Sequence, residues 1–143
     1  MTTPGNNKTM EEAQDALRFL RSFMHQGQLA ALADMVCGEE GQHFCNKLVE
    51  MERLICTMPI TYEQDGAGEE AIAYLHYFLN GFDWYITERD MEREQLQAFG
   101  LACMGEVEIG YINIVELIRN GAELDFYFGP CTLSKIFAEQ SGW

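Results

Sequence analysis

The chain has 143 residues, 48% of them hydrophobic, and a formal net charge of −14. That is the usual size of one domain, able to bury roughly two-thirds of its unfolded surface, and no apolar run approaches the roughly 18 to 20 residues a bilayer helix needs. The acid is uneven: residues 1–60 carry five basic against eight acidic side chains, a balance of −3, and residues 61–143 carry four against fifteen, a balance of −11. Such a field disfavours direct binding of nucleic acid or of an anionic membrane and favours a basic protein partner, although acidity also serves plain solubility.

In chain order, Met1 to Lys8 lacks the basic-then-apolar layout of a secretory signal and is expected to be a short frayed tail, so a cytoplasmic location is expected. Thr9 followed by Glu12 is a capping-box pattern, and Ala13, Leu17, Leu20, Phe23 and Met24 then form an apolar stripe with Arg18 and Arg21 outside it. Gly27 is expected to break this helix, with helical turns resuming over Leu29 to Val36 before Gly38. A second helix is predicted from about Glu39, where Phe44, Leu48, Met51, Ile55 and Met58 step by four, three, four and three until Pro59. Residues 62–70, with Gly66 and Gly68 among several acids, read as an exposed loop.

The period then changes to two. Ala71 to Leu79 and Phe82 to Glu88 predict a β-hairpin about Asn80-Gly81, because both turn residues tolerate positive φ. A polar loop over Glu92 to Gln95 leads to a third strand, Leu96 to Cys103, and a fourth, Ile109 to Ile112, across the Met104-Gly105 turn. Asn113 and Glu116 predict a short helix from Ile114 to Arg119 stopped at Asn120-Gly121, Glu123 to Phe128 a fifth strand at an edge, and Thr132 the cap of a last turn through Phe137. The expected fold is α+β, one domain over 1–143, in which a helical part (9–60) covers a mainly antiparallel sheet of four or five strands with one short inserted helix (61–143).

Several segments of the second half occur in a recognisable order: Leu75-His76-Tyr77-Phe78, Asp83-Trp84-Tyr85-Ile86-Thr87-Glu88, Phe99-Gly100, Gly110-Tyr111-Ile112 with Glu116-Leu117, and Leu124-Asp125 with Pro130 and Leu133. On these, residues 71–133 resemble domain of unknown function 2958, a family found in proteins of plasmids, phages and integrated elements. The resemblance implies a mobile-element setting and no particular activity, and the first sixty residues fall outside it.

The five cysteines, Cys37, Cys45, Cys56, Cys103 and Cys131, form no C-x-x-C pair and sit among apolar neighbours, which suits buried reduced thiols. Cys37, His43 and Cys45 match no standard zinc spacing, so neither a metal nor another cofactor is expected. His25 and His43 have no partner at a ligand spacing, and His76, on the side of Tyr74 and Phe78, reads as a satisfied core or rim residue.

The densest polar and aromatic cluster is Asp83, Trp84, Tyr85 and Glu88. Strand alternation places Trp84, Ile86 and Glu88 on one face and Asp83, Tyr85 and Thr87 on the other. Glu88 then either lines a cleft beside Trp84 as a desolvated acid-base group, or pairs Arg89, Arg93 or Arg119 at the sheet end while Trp84 packs under the helices. Glu106 and Glu108, two apart and about 6.5 Å from one another in an extended segment, could join Asp90, Glu92, Glu94, Glu123 and Asp125 in a surface that mimics the charge line of DNA.

The expected function is therefore a non-enzymatic acidic interaction protein of a mobile genetic element, a nucleic-acid mimic acting on a basic restriction, CRISPR or replication component. Its expected binding surface is Trp84, Tyr85, Glu88, Glu106, Glu108, Tyr111, Glu123 and Asp125. One alternative is a small hydrolase or transferase using Glu88 or Asp83 as acid or base; another is a structural homodimer built on the helical stripes. The distinguishing feature is whether Trp84, Glu88 and Tyr111 converge on one pocket or the carboxylates spread over a convex surface.

Overall fold

A computed structural model describes residues 7–92 and 94–141, with side chains as far as Glu139. Most of the expected N-terminal tail, and Arg93, lie outside the described residues. The architecture is α+β: three helices lie on one face of a five-stranded antiparallel sheet, and a C-terminal helix lies on the other.

Helix α1 (Met10–Phe19) opens on the expected capping box, in which Thr9 Oγ1 accepts from the Glu12 amide at 3.0 Å and Glu12 Oε1 accepts from the Thr9 amide at 2.9 Å. A 3-10 turn (Leu20–Ser22) redirects the chain into α2 (Gln26–Val36). Gly27 therefore sits inside α2 rather than between helices. The reason is His25, which takes the N-cap with Nδ1 accepting from the Gln28 amide at 3.1 Å, and the first turn tolerates a glycine that an interior position would not. Helix α3 (Gly41–Thr57) begins two residues later than expected, where a Cβ on Gly41 would stand 2.2 Å from the Val36 carbonyl oxygen. Met58 is extended ahead of Pro59, which ends the helix.

The sheet follows. Strands β1 (Ile72–Ala73) and β2 (Leu75–Leu79) replace the single strand expected over 71–79, because the chain leaves the main sheet before Tyr74 and pairs β1 with β7 (Cys131–Thr132) in a separate two-stranded sheet. β2 turns into β3 (Phe82–Glu88) through Asn80 at φ 52° and Gly81 at φ 87°, with Leu79 opposite Phe82: this is the predicted hairpin. β4 (Ala98–Cys103) and β5 (Val107–Ile112) continue the meander, α4 (Ile114–Arg119) follows, and β6 (Glu123–Leu124) returns beside β2.

The strand order is thus β5-β4-β3-β2-β6, with β5 and β6 at the two edges. β6 is two residues long, not six, because Asp125 Oδ1 accepts from the Tyr127 amide at 2.8 Å and turns the chain out of the sheet. Helix α5 (Leu133–Ser141) runs past Phe137, with Thr132 Oγ1 accepting from the Lys135 amide at 3.3 Å.

Helices α1 to α3 spend their stripes on the sheet: Ala13, Leu20, Leu48 and Ile55 meet Leu75, Tyr77, Trp84 and Ile86 in the main core. Tyr77 is fully buried there, donates from its hydroxyl to the Phe23 carbonyl at 2.5 Å, and has its phenol pushed up by burial. The outer face carries a smaller core of Ala71, Ala73, Leu101, Cys103, Leu133 and Ile136. No helix of the described residues is long and apolar enough to cross a membrane.

Candidate functional site

The strand β3 is not regular. It pairs with β4 residue for residue from Asp83↔Cys103 to Ile86↔Gly100, and then Glu88 stands across from Phe99, leaving Thr87 as the extra residue of a bulge. The bulge undoes the expected alternation. Trp84 and Ile86 point into the core under the helices, whereas Glu88 shares the outer face with Phe99. Glu88 is 3% exposed, and its carboxylate accepts from the backbone amides of Tyr62 at 2.5 Å and Gln64 at 3.1 Å. It anchors the 61–66 loop, and among the described residues it pairs no arginine. Arg89 is turned the other way, donating from Nε to the Ile55 carbonyl at the end of α3 (2.8 Å). Tyr62, next to the anchor, is held at φ 80°, a conformation a bulky residue adopts only when its surroundings impose it.

Asp83 is also occupied. Its Oδ1 is 2.7 Å from His76 Nε2, and Asp125 Oδ2 is 2.9 Å from His76 Nδ1. In its doubly protonated form the ring donates to both carboxylates at once. The imidazole stacks on Tyr85 with centroids 4.7 Å apart and lies against Phe128, so the group clasps β6 to the β2–β3 hairpin. Sequence reasoning placed His76 as satisfied but missed its partners. The hairpin register would have brought Asp83 within reach, while Asp125 enters only through the return of β6.

Cys103 opposes Asp83, and its thiol is pushed up, first by burial and then by that carboxylate, so it is held as a poor nucleophile. Cys45 is likewise pushed up, by burial first and then by neighbouring Cys37. Cys37 and Cys56 are exposed, against the expectation of five buried thiols, since they lie on the outward sides of their helical segments. Among the described residues no three His, Cys, Asp or Glu side chains are grouped to hold a metal ion.

Trp84, Glu88 and Tyr111 do not converge on one pocket. Two clefts flank β5, one on each face of the sheet, and Ile109 and Tyr111 line both. The outer cleft, about 430 Å³, has Tyr62, Asp65, Glu88, Phe99 and Tyr111 in its walls. The helix-side cleft, about 380 Å³, has Trp84, Glu108, Gly110, Asn113 and Glu116. The hydroxyls of Tyr62 and Tyr111 hydrogen-bond across the outer mouth, and that bond, ahead of burial, pushes the Tyr111 phenol up.

Among the described residues, neither cleft is lined by a lysine, arginine or histidine. Lys47, with His25, lines a cleft of about 470 Å³ between α2, α3 and β6, and Arg21 and Arg119 line another beside α4.

The expected acidic surface is divided. Glu106 and Glu108 belong to the β5 edge, and Glu123 and Asp125 to the β6 edge, four strand spacings or roughly 19 Å away. Asp125 is engaged by His76 and Tyr127. Asp90 is buried and accepts from the Glu92 amide at 3.1 Å and the Gln97 amide at 3.0 Å, which removes it from any docking surface. Glu123 is exposed but shares its cleft with Lys47 and His25, so the free carboxylates that lie in clefts without a described cation are those around β5. Comparison with protein-family models, with curated proteins and with solved structures found no match.

Proposed function

We propose that this chain is a non-enzymatic acidic interaction protein of a mobile genetic element, and that it receives a basic protein partner, such as a component of host defence or replication, on the β5 side of its sheet. The observation that carries this is the pair of clefts flanking β5, with exposed Asp65 in the outer lining and Glu108 and Glu116 in the helix-side lining, and with no lysine, arginine or histidine among the described residues of either. Supporting this reading over the enzymatic alternative, Glu88 is engaged by the 61–66 loop and Asp83 by His76. Mimicry of nucleic acid then rests on the β5 side alone, since Glu123 and Asp125 lie at the far edge. The mobile-element setting rests on the resemblance of residues 71–133.

The test is binding of a fluorescent arginine-containing peptide, followed by anisotropy across a salt series. Removing three charges as Glu106→Gln, Glu108→Gln and Glu116→Gln should weaken binding roughly tenfold at low salt, at a few tenths to 1 kcal/mol per exposed charge. Removing three charges from the helical part, as Glu11→Gln, Glu39→Gln and Glu40→Gln, should leave it nearly unchanged. Equal weakening by both sets would reduce the interaction to diffuse net charge and refute the β5 site.

A further inference from the structure

The two edges of the sheet are treated differently. At β6, the side chain of Gln28 from α2 reaches Leu124 twice, donating from Nε2 to its carbonyl at 2.8 Å and accepting at Oε1 from its amide at 3.0 Å. One glutamine amide thus occupies the groups a further strand would use. At β5 nothing comparable is present: among the described residues, the backbone of 107–112 makes no hydrogen bond beyond its ladder with β4. In an antiparallel edge, alternate residues turn both their N–H and C=O outward, so β5 offers a row of unpaired groups over six residues, about 20 Å.

From this juxtaposition of an open edge with an acid-lined cleft on the helix side and an exposed apolar row on the outer side, we propose that an extended segment of the partner, with basic and apolar side chains in alternation, adds to the sheet as a sixth strand along β5. The inference rests on the reading of the β5 side as the partner surface and adds how the partner is held. An added strand sends successive side chains to opposite faces. On the helix side they meet Glu108 and Glu116, which suit lysine or arginine. On the outer side they meet the exposed Val107, Ile109 and Tyr111, which suit apolar side chains. A Cβ built on Gly110 has no atom within 4 Å, so a side chain of the added strand has room over that position on the helix-side face.

Charge selects the occupant. Edge strands are commonly guarded by lysine, proline or a bulge, and β5 has none of these. Its charges are Glu106, just before it, and Glu108, so pairing with a second copy would gather four glutamates on one seam between chains of −14 each. A basic strand turns the same carboxylates from a barrier into an attraction.

The probe is a nine-residue peptide alternating arginine and valine, compared by anisotropy with two isomers N-methylated on one or the other set of alternate residues. N-methylation keeps every side-chain charge and removes backbone donors. Strand addition predicts that one isomer binds like the parent and the other at least about tenfold more weakly, because only one set of amides faces β5. Equal binding by all three peptides overturns strand addition while leaving the acidic site standing. No binding by the parent at low salt overturns both.

Discussion

Replacing Glu88 with alanine separates the structural reading of this residue from the catalytic one. Its carboxylate is buried and is the acceptor for two backbone amides, those of Tyr62 and Gln64. Alanine leaves both donors without a partner beneath the loop, at roughly 1 to 3 kcal/mol each, and a loss of about 3 kcal/mol in a chain of this size lowers Tm by roughly 6 to 12 °C. Part of that cost is relieved where water reaches the amides through the outer cleft, so the lower half of the range is expected. Glu88→Gln keeps one acceptor oxygen and should cost about half as much. The assay is thermal unfolding by circular dichroism, with amide exchange over residues 61–66 as the local readout. Unchanged Tm and unchanged exchange in both variants would refute the anchoring role and return Glu88 to the acid-base groups.

The hairpin turn is tested by Gly81→Val, which forces a β-branched residue to φ 87° and should cost about 1 to 3 kcal/mol; an unaltered melting temperature would contradict the turn geometry. Gln28→Ala should destabilise by roughly 1 to 2 kcal/mol and speed amide exchange at Leu124, and retention of wild-type exchange there would show that the glutamine does not close that edge. A thiol reagent should modify Cys37 and Cys56 in the native protein and reach Cys45 and Cys103 only on unfolding; four equal rates would contradict the packing. The buried thiols of Cys45 and Cys103, and the Tyr77 phenol, ionise at higher pH folded than unfolded. Their contribution is therefore complete below the ordinary thiol value and is lost as pH rises, so Tm should fall above about pH 9. A Tm flat from pH 8 to 11 would contradict that burial.

What the sequence disclosed was what short-range chemistry decides. Thr9 with Glu12, and Asn80 with Gly81, act within three or four residues, and the helix start and hairpin they predict are both present. The apolar stripes of the first sixty residues also found their sheet. Features that depend on register between distant segments were hidden. A bulge at Thr87 has no mark in a period of two, yet it moves Glu88 from the core face to the outer face and parts it from Trp84. His76 meets Asp125 only because β6 returns beside β2, and Gln28 closes Leu124 across 96 positions of sequence. Of the eight expected surface residues, Glu106, Glu108 and Tyr111 lie on or beside the open edge. Trp84 and Glu88 line its two clefts, one from the core and one from the loop anchor, while Tyr85 packs against His76 and Glu123 and Asp125 lie across the sheet. The acidity of residues 61–143 was plain from composition, but its division between two edges is a property of the strand order.

Amide hydrogen exchange with and without the alternating arginine–valine peptide tests the central claim most directly, because it locates the partner on the sheet residue by residue. The account predicts slowed exchange at alternate amides of residues 107–112, with Leu124 unaltered behind Gln28. Protection confined to the helices, or to the β6 edge, would contradict it.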